Sequence, residues 1–417
     1  MATDVSAAQE QSGHIPPPEP SLTVDDLIRR ADALRGLLRE RQTECETWGG
    51  LPADTNHRFL AAGFYRILQP RRFGGYEFAL PDFIRVMMAV ARGCSESAWV
   101  LALTSGHTVL AAQLSESAQC EVFGPAGDFR APGVGMPGGV GHSIDGGIRV
   151  TGAWDYASGC DLATHFFGST MVRDPETETS LGNAWILFDR DQFRIVDNWN
   201  VIGMQGTGSR RVVIEDAFVP ADRALWFLDG QNRPIRDQPG HALHPNPMYH
   251  AWLAPLLISE VAAVSVGAAR GALDIYGELL RNKKTNFPPF HARSNEAEFQ
   301  QHFGEAQALI DTAQAALLKL AADYMDQARQ HVEIGAPLDE EMERRLILME
   351  QQVIRLSWDA AELMFRTSGT SAAAKNSPLG RVLRNLAVIR THVTLQSDHT
   401  ATNAGRLHFG LPPLSRF

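Results

Sequence analysis

The sequence predicts an α+β protein in which two helical segments flank a central antiparallel β-domain. Three observations predict it. From residue 21 to about 120, apolar residues recur every three or four positions. From about 121 to 232, glycine becomes dense and short β-branched or aromatic runs appear. From about 248 to 407, long alanine-rich apolar stretches return. The expected organisation is a disordered arm over 1–20, an N-terminal helical domain over 21–120, a β-domain over 121–232 and a C-terminal four-helix bundle over 233–417.

The arm is rich in Pro, Gln and Ser, a composition that does not bury a core. Val24, Leu27, Ile28, Ala31, Leu34 and Leu38 then fall on one helical face, and Gly49-Gly50 ends that stretch. Ser95 is a candidate N-cap for a helix through Leu114. In the middle region Ile148–Val150, Phe166–Val172, Ala184–Phe188 and Arg211–Ile214 read as strands. Asp145-Gly146-Gly147 and Asp216-Ala217 read as turns between strands. Helices are expected over Ala251–Leu280, Glu305–Glu333 and Asp339–Ser368, with a last one from Pro378 to about Asn403. Arg281–Glu298 reads as an exposed loop between bundle helices.

Bulk properties exclude several classes. The 417 residues are 44% hydrophobic and 21% charged, as in ordinary globular chains. A net charge of −10 argues against nucleic acid as a partner. Cys45, Cys94, Cys120 and Cys160 lie far apart, which disfavours a disulfide framework or a metal site and makes a reducing cytoplasm the default location. No apolar run reads as long enough to span a bilayer, so no membrane is expected as a partner. The N-terminus has neither the basic nor the apolar region of a signal peptide.

Two signatures stand out in the β-region. One is Gly152-Ala-Trp-Asp-Tyr-Ala-Ser-Gly-Cys-Asp161. The other is Gly203-Met-Gln-Gly-Thr-Gly-Ser-Arg-Arg-Val-Val-Ile-Glu-Asp-Ala-Phe-Val-Pro220. The first reads by itself as a strand ending in a Ser-Gly turn. In the second, three glycines within six positions permit positive φ and close backbone approach, with Thr207 and Ser209 hydroxyls beside them. Together they resemble the β-domain of the acyl-CoA dehydrogenase superfamily, and the resemblance spans about residues 22 to 410.

That resemblance implies a flavin ring lying against Tyr156 and Ser158, with Gly206, Thr207 and Ser209 beside it. Gln205 stands where many relatives have arginine. The resemblance also implies phosphate contacts from Arg281 and from the Ser368-Gly369 segment. By residue type alone, Arg281 is a cation compensating a helix C-terminus and Ser368-Gly369 belongs to an ordinary loop.

The superfamily contains thioester dehydrogenases and a two-component (group D) flavin-dependent monooxygenase branch. Around Arg381-Val-Leu-Arg-Asn-Leu-Ala-Val-Ile-Arg-Thr-His392 the chain resembles the monooxygenases, with His392 over the flavin. Relatives carry aspartate where this chain has Asn385, so the salt bridge there is expected to be missing. Asn385, Val388, His392, Gln396 and His399 form a stripe that also reads as a solvated polar face. From Leu363 to Phe417 there is no glutamate and Asp398 is the only aspartate, so the late carboxylate base of many dehydrogenases is absent. Glu260 remains available as an earlier one.

His107 shares a helical face with Val100, Leu103, Thr104 and Ala111. Periodicity alone makes it a core residue. The resemblance makes it the histidine that touches a phenolic oxygen.

The implied function is an oxygenase component taking reduced FMN (FMNH2, or FADH2) from a separate NAD(P)H-dependent flavin reductase. O2 is the co-substrate, a flavin hydroperoxide the oxidant, and a small aromatic, most simply phenolic, molecule the substrate. Catalysis falls to His107, His392 and Ser158, and a homotetramer is implied. The alternatives are an acyl-CoA dehydrogenase-like FAD enzyme and an N- or S-oxygenase of the same branch.

Overall fold

The computed structural model describes residues 15–227, 238–395 and 397–414. The chain begins with helices α1 (Val24–Glu40), α2 (Gln42–Trp48), α3 (Ala53–Ala62), α4 (Leu80–Ala91), α5 (Ser95–Gly106), α6 (Thr108–Ala111) and α7 (Glu116–Phe123). Thr23 starts α1 with a capping box, in which its side chain and that of Asp26 satisfy each other's backbone N–H. Of the arm expected through Pro20, Ile15 and Pro16 are packed and residues 17–20 are exposed. Ile15 is buried, and the Pro16 carbonyl accepts from Arg66 Nη2 at 2.8 Å. The rest of that arm lies outside the described residues.

The expected helix from Ser95 to Leu114 is broken. Its cap is Cys94, whose sulfur accepts from the Ser97 N–H, so Ser95 is already helical. The break falls at His107, between α5 and α6.

Seven strands follow: β1 (Gly133–Ile144), β2 (Gly147–Ala157), β3 (His165–Arg173), β4 (Ser180–Asp189), β5 (Arg194–Val196), β6 (Arg210–Pro220) and β7 (Ala224–Phe227). They form one sheet in the order β5-β6-β2-β1-β3-β4-β7. Every pairing is antiparallel except β1 with β3, which corrects the wholly antiparallel expectation. The short connection after β2 crosses the end of β1, so β3 leaves along β1's own direction.

Strand β1 was illegible because it is glycine-rich, and packing explains why. A Cβ on Gly139 would stand 2.3 Å from the Trp154 ring. Trp154 is buried in the trough so formed, with its indole N–H on the Ser169 carbonyl at 2.7 Å. Asp216-Ala217 is not a turn. It is a bulge inside β6, where the register against β2 slips and Asp216 takes φ +54°.

The C-terminal part holds α8 (Leu253–Asn282), α9 (Ala297–Ile334), α10 (Glu340–Thr367), α11 (Pro378–Ile389) and α12 (Ser397–His408). The single last helix expected to about Asn403 is therefore two, with His392 in the turn between them. Helix α8 is long and apolar enough to cross a membrane, contrary to expectation. Its most apolar stretch is 89% buried, so that hydrophobicity faces the core. The N-terminal helices and the bundle share one apolar core, from Leu27 and Phe83 through Val264 to Leu386. Bidentate pairs of Arg39 with Glu278 and Arg92 with Asp274 join the N-terminal helices to α8.

Candidate functional site

The two sequence signatures meet at the end of β2. Gly159 N–H donates to the Thr207 carbonyl at 2.9 Å, which locks the Ser158-Gly159 turn to the short 3-10 turn Gln205–Thr207. Ser158 sits at the centre of a chain of hydrogen bonds. Trp99 Nε1 lies 2.8 Å from its Oγ, Ser209 Oγ lies 2.7 Å away, and Ser209 in turn lies 2.6 Å from Thr207 Oγ1. Thr207 Oγ1 donates to the Met204 carbonyl at 2.8 Å. Ser158, Thr207 and Ser209 are all buried.

Side chains from two other elements hold the 203–209 segment in place. Glu96 on α5 is wholly buried and accepts from Gly206 N–H at 2.8 Å. Burial pushes its carboxyl up to about 8, so it is protonated at neutral pH. Gly206 thus turns its backbone towards α2 and α5, and a Cβ there would stand 2.7 Å from the Cys45 Cβ. Asn385 on α11 accepts from Met204 N–H at 2.7 Å and donates to Ser95 Oγ at 3.0 Å. Gly203 lies against the same helix, where a Cβ would meet the Arg384 carbonyl oxygen at 2.3 Å. Asn385 makes no salt bridge, and the neighbouring arginines pair with a carboxylate on another helix. Arg381 and Arg384 both reach Glu46 of α2, at 2.9 and 3.2 Å. Gln205 instead donates to the Val201 carbonyl at 2.9 Å.

His107 is buried at the α5–α6 break. Its Nδ1 lies 2.8 Å from the Ala131 carbonyl oxygen. A carbonyl only accepts, so Nδ1 carries the proton and Nε2 is left as a bare lone pair. Burial lowers the imidazole to about 4, which keeps it neutral. The edge of Trp185 faces the ring at 6.3 Å between centroids.

His392 lies at the other end of α5. Its ring meets Trp99 edge-on at 6.0 Å, and Nδ1 lies 2.8 Å from Thr394 Oγ1. Its packing lowers its basicity. Trp99 therefore brings Ser158 and His392 together. His107 follows eight residues later, about 12 Å along the helix. Gln396, part of the expected stripe, lies outside the described residues.

Tyr156 is 54% exposed, and its ring packs on Trp199 at 5.1 Å. Beside it, Asp155 is paired with Arg211 and Asn198. An exposed aromatic face next to a buried hydroxyl network fits a planar heteroaromatic ring with polar edge atoms. Glu260 on α8, the candidate early base, is wholly buried against the backbone of Gly106 at the end of α5, and burial raises its pKa well above the usual carboxylate range.

The proposed phosphate-end residues Arg281, Ser368 and Gly369 lie on α8 and at the end of α10. Arg281 is exposed in the last turn of α8, about 30 Å along that helix from Glu260. Ser368 is buried, its hydroxyl donating to the Met364 carbonyl at 2.6 Å and its carbonyl accepting from Arg293 at 2.9 Å. Gly369 follows at φ +86°. Tyr276 joins this segment to α8 through a 2.7 Å hydrogen bond to Thr367.

Sequence reasoning missed Trp99, Glu96 and the Asn385 brace. Trp99 had a signal, a lone indole two turns before His107. Glu96 and Asn385 had none, because a buried carboxyl and a surface one are the same letter.

Residues 259–397 match the family model of the acyl-CoA dehydrogenase C-terminal domain. Over 389 residues the chain is 31% identical to the oxygenase subunit HsaA of a flavin-dependent monooxygenase from Rhodococcus jostii, covering 92% of this chain and 98% of that one. It is 27% identical to the oxygenase component of an FADH2-dependent resorcinol hydroxylase from a Rhizobium species, covering 97% and 99%. It is 24% identical to the p-hydroxyphenylacetate 3-hydroxylase oxygenase component of Acinetobacter baumannii, covering 86% and 83%. The crystal structure of 3-HSA hydroxylase from Rhodococcus sp. RHA1 superposes with a TM-score of 0.85 at 29% identity, covering 94% of this chain and 98% of that one. The chain belongs to the oxygenase components of flavin-dependent monooxygenases, built on the acyl-CoA dehydrogenase fold.

Proposed function

We propose that this protein hydroxylates a small phenolic substrate, using O2 and a reduced flavin, FMNH2 or FADH2, supplied by a separate NAD(P)H-dependent reductase. The observation that carries this reading is His107, whose Nδ1–H is committed to the Ala131 carbonyl and whose Nε2 is a bare acceptor in a buried setting. When bound, the reduced flavin activates O2 and supplies one oxygen atom as an electrophile.

The chain's own residues do the rest. Tyr156 offers a face for the ring, and Ser158 a hydroxyl for its edge. Trp99 joins Ser158 to His392. Val100 and Thr104 pack on Gly159 and help keep water out. His107 accepts a hydrogen bond from the phenol at Nε2 and takes that proton as charge develops on the ring. Its low basicity means it moves the proton during the reaction and does not hold one beforehand.

Arg281, Ser368 and Gly369 are read as contacts to the phosphate end of the flavin. A homotetramer in which neighbouring subunits complete each site is part of the same reading, on the family resemblance of the Ser368-Gly369 segment. The dehydrogenase reading is disfavoured because Glu260 is wholly buried against Gly106, where burial pushes its carboxyl towards the neutral form and no substrate reaches it.

The test is a turnover assay with reduced FMN, O2 and a panel of phenols, product being followed by mass spectrometry. A product heavier by one oxygen supports the reading. Tightly bound yellow FAD that bleaches with an acyl thioester, and no such product, sinks it.

A further inference from the structure

The hydroxyl chain at Ser158 has a fixed direction, and every proton in it can be assigned. The Met204 carbonyl can only accept, so Thr207 Oγ1 donates to it. Thr207 has one proton, so Ser209 must be the donor in its 2.6 Å contact with Thr207. Ser209 has then spent its own proton, so Ser158 must donate in the 2.7 Å contact with Ser209. The Trp99 indole N–H can only donate, and it fills one Ser158 lone pair at 2.8 Å. Ser158 is left with no free proton and one free lone pair.

From this we infer that Thr207 and Ser209 are positioning residues that make the site selective for the reduced flavin, by forcing Ser158 to be an acceptor. The inference rests on the proposed placement of the flavin ring edge at Ser158. Reduced flavin carries a hydrogen on N5 and donates there. That donation gives the Ser158 hydroxyl its full complement of one bond donated and two accepted. Oxidised flavin has a bare lone pair at N5, which would face the lone pair of Ser158. Turning the Ser158 proton to meet it breaks the bond to Ser209 in a buried place, where an unmet partner is costly. Thr207 and Ser209 are themselves buried with both hydroxyls engaged, so they act through Ser158.

An oxygenase fed by a reductase needs this preference, because it must capture reduced flavin from a pool that also holds oxidised flavin, and must release the flavin once it is oxidised.

The experiment is an anaerobic titration of the full chain with reduced FMN and, separately, with oxidised FMN. The readout is the ratio of the two dissociation constants. The parent protein should bind reduced FMN more tightly. Ser209→Ala frees the Ser158 proton to donate to oxidised N5, so the ratio should shrink about 5- to 10-fold. A tenfold shrinkage corresponds to a fall of ~30 mV in the potential of the bound flavin. Thr207→Val keeps the shape but removes the acceptor for Ser209, and should shift the ratio in the same direction. Ser209→Thr keeps the hydroxyl and should leave the ratio at the parent value. An unchanged ratio in both Ser209→Ala and Thr207→Val, or equal weakening of both flavin states, overturns the inference. A parent protein that binds neither state overturns the placement of flavin itself.

Discussion

The two ends of the proposed flavin site are built in opposite ways. Around Ser158 the functional atoms are buried, and Trp99, Ser209 and Thr207 hold one another through a directed chain of hydrogen bonds. Backbone groups there are met by Glu96 and Asn385 from separate helices. At the other proposed end the Arg281 side chain is exposed at a helix end, and Gly369 is exposed at positive φ. The first region suits discrimination between protonation states, which needs fixed geometry in a low dielectric. The second suits attraction of a phosphate, which needs charge more than position. Substitutions in the first should therefore change chemistry, and substitutions in the second should change affinity alone.

The largest effect is expected at His107. His107→Asn removes the Nε2 acceptor while keeping a side-chain donor, and should lower hydroxylation by ~10²–10⁴-fold. O2 consumption should continue, with H2O2 replacing product. Equal loss of both would mean that His107 only packs.

Asn385→Ala should come next. It strands the Met204 N–H and the Ser95 hydroxyl in a buried place, costing about 1–3 kcal/mol. A lower melting temperature, recovered in part by flavin, is the expected reading. An unchanged one would show that the brace is not needed.

A third test uses pH. The folded pKa of Glu96 is raised to about 8, so the native state holds a proton that the unfolded chain releases near 4.5. The stability this contributes is present below pH 4.5 and is lost as pH rises towards 8. Glu96→Gln should make the fall in melting temperature over that window shallower. An equally steep fall would place the effect elsewhere, for instance at Glu260 and Glu350, which are raised in the same sense.

Arg281→Ala should have the smallest effect, a few-fold loss of flavin affinity that salt diminishes, with the ratio of product to H2O2 unchanged. A shift in that ratio would erase the contrast between the two ends.

How far the sequence could be read follows the same division. Long apolar helices and glycine-rich signatures repeat a local physical rule, so α8, α9 and α10 and the two turns at Ser158 and Thr207 were legible. Strand β1 was not, because its glycines make room for Trp154, a partner distant in sequence. Breaks at His107 and His392 were also missed: Gly106 precedes the first without a proline or a polar turn cluster to mark it, the second has no Pro or Gly at all, and each leaves its histidine outside a helix. The roles of Trp99, Glu96 and Asn385 depend on which distant groups face them. For Asn385, the letter suggested a lost salt bridge, whereas the structure uses its two-sided amide to join Met204 to Ser95.

The most direct test of the central claim is a single turnover under ¹⁸O2. Protein loaded anaerobically with reduced FMN and a phenol is mixed with labelled oxygen, and the product is weighed. The account predicts one ¹⁸O atom in the new hydroxyl group, and loss of that product in His107→Asn. A product bearing oxygen from water, or none at all while the reduced flavin simply reoxidises, would contradict it.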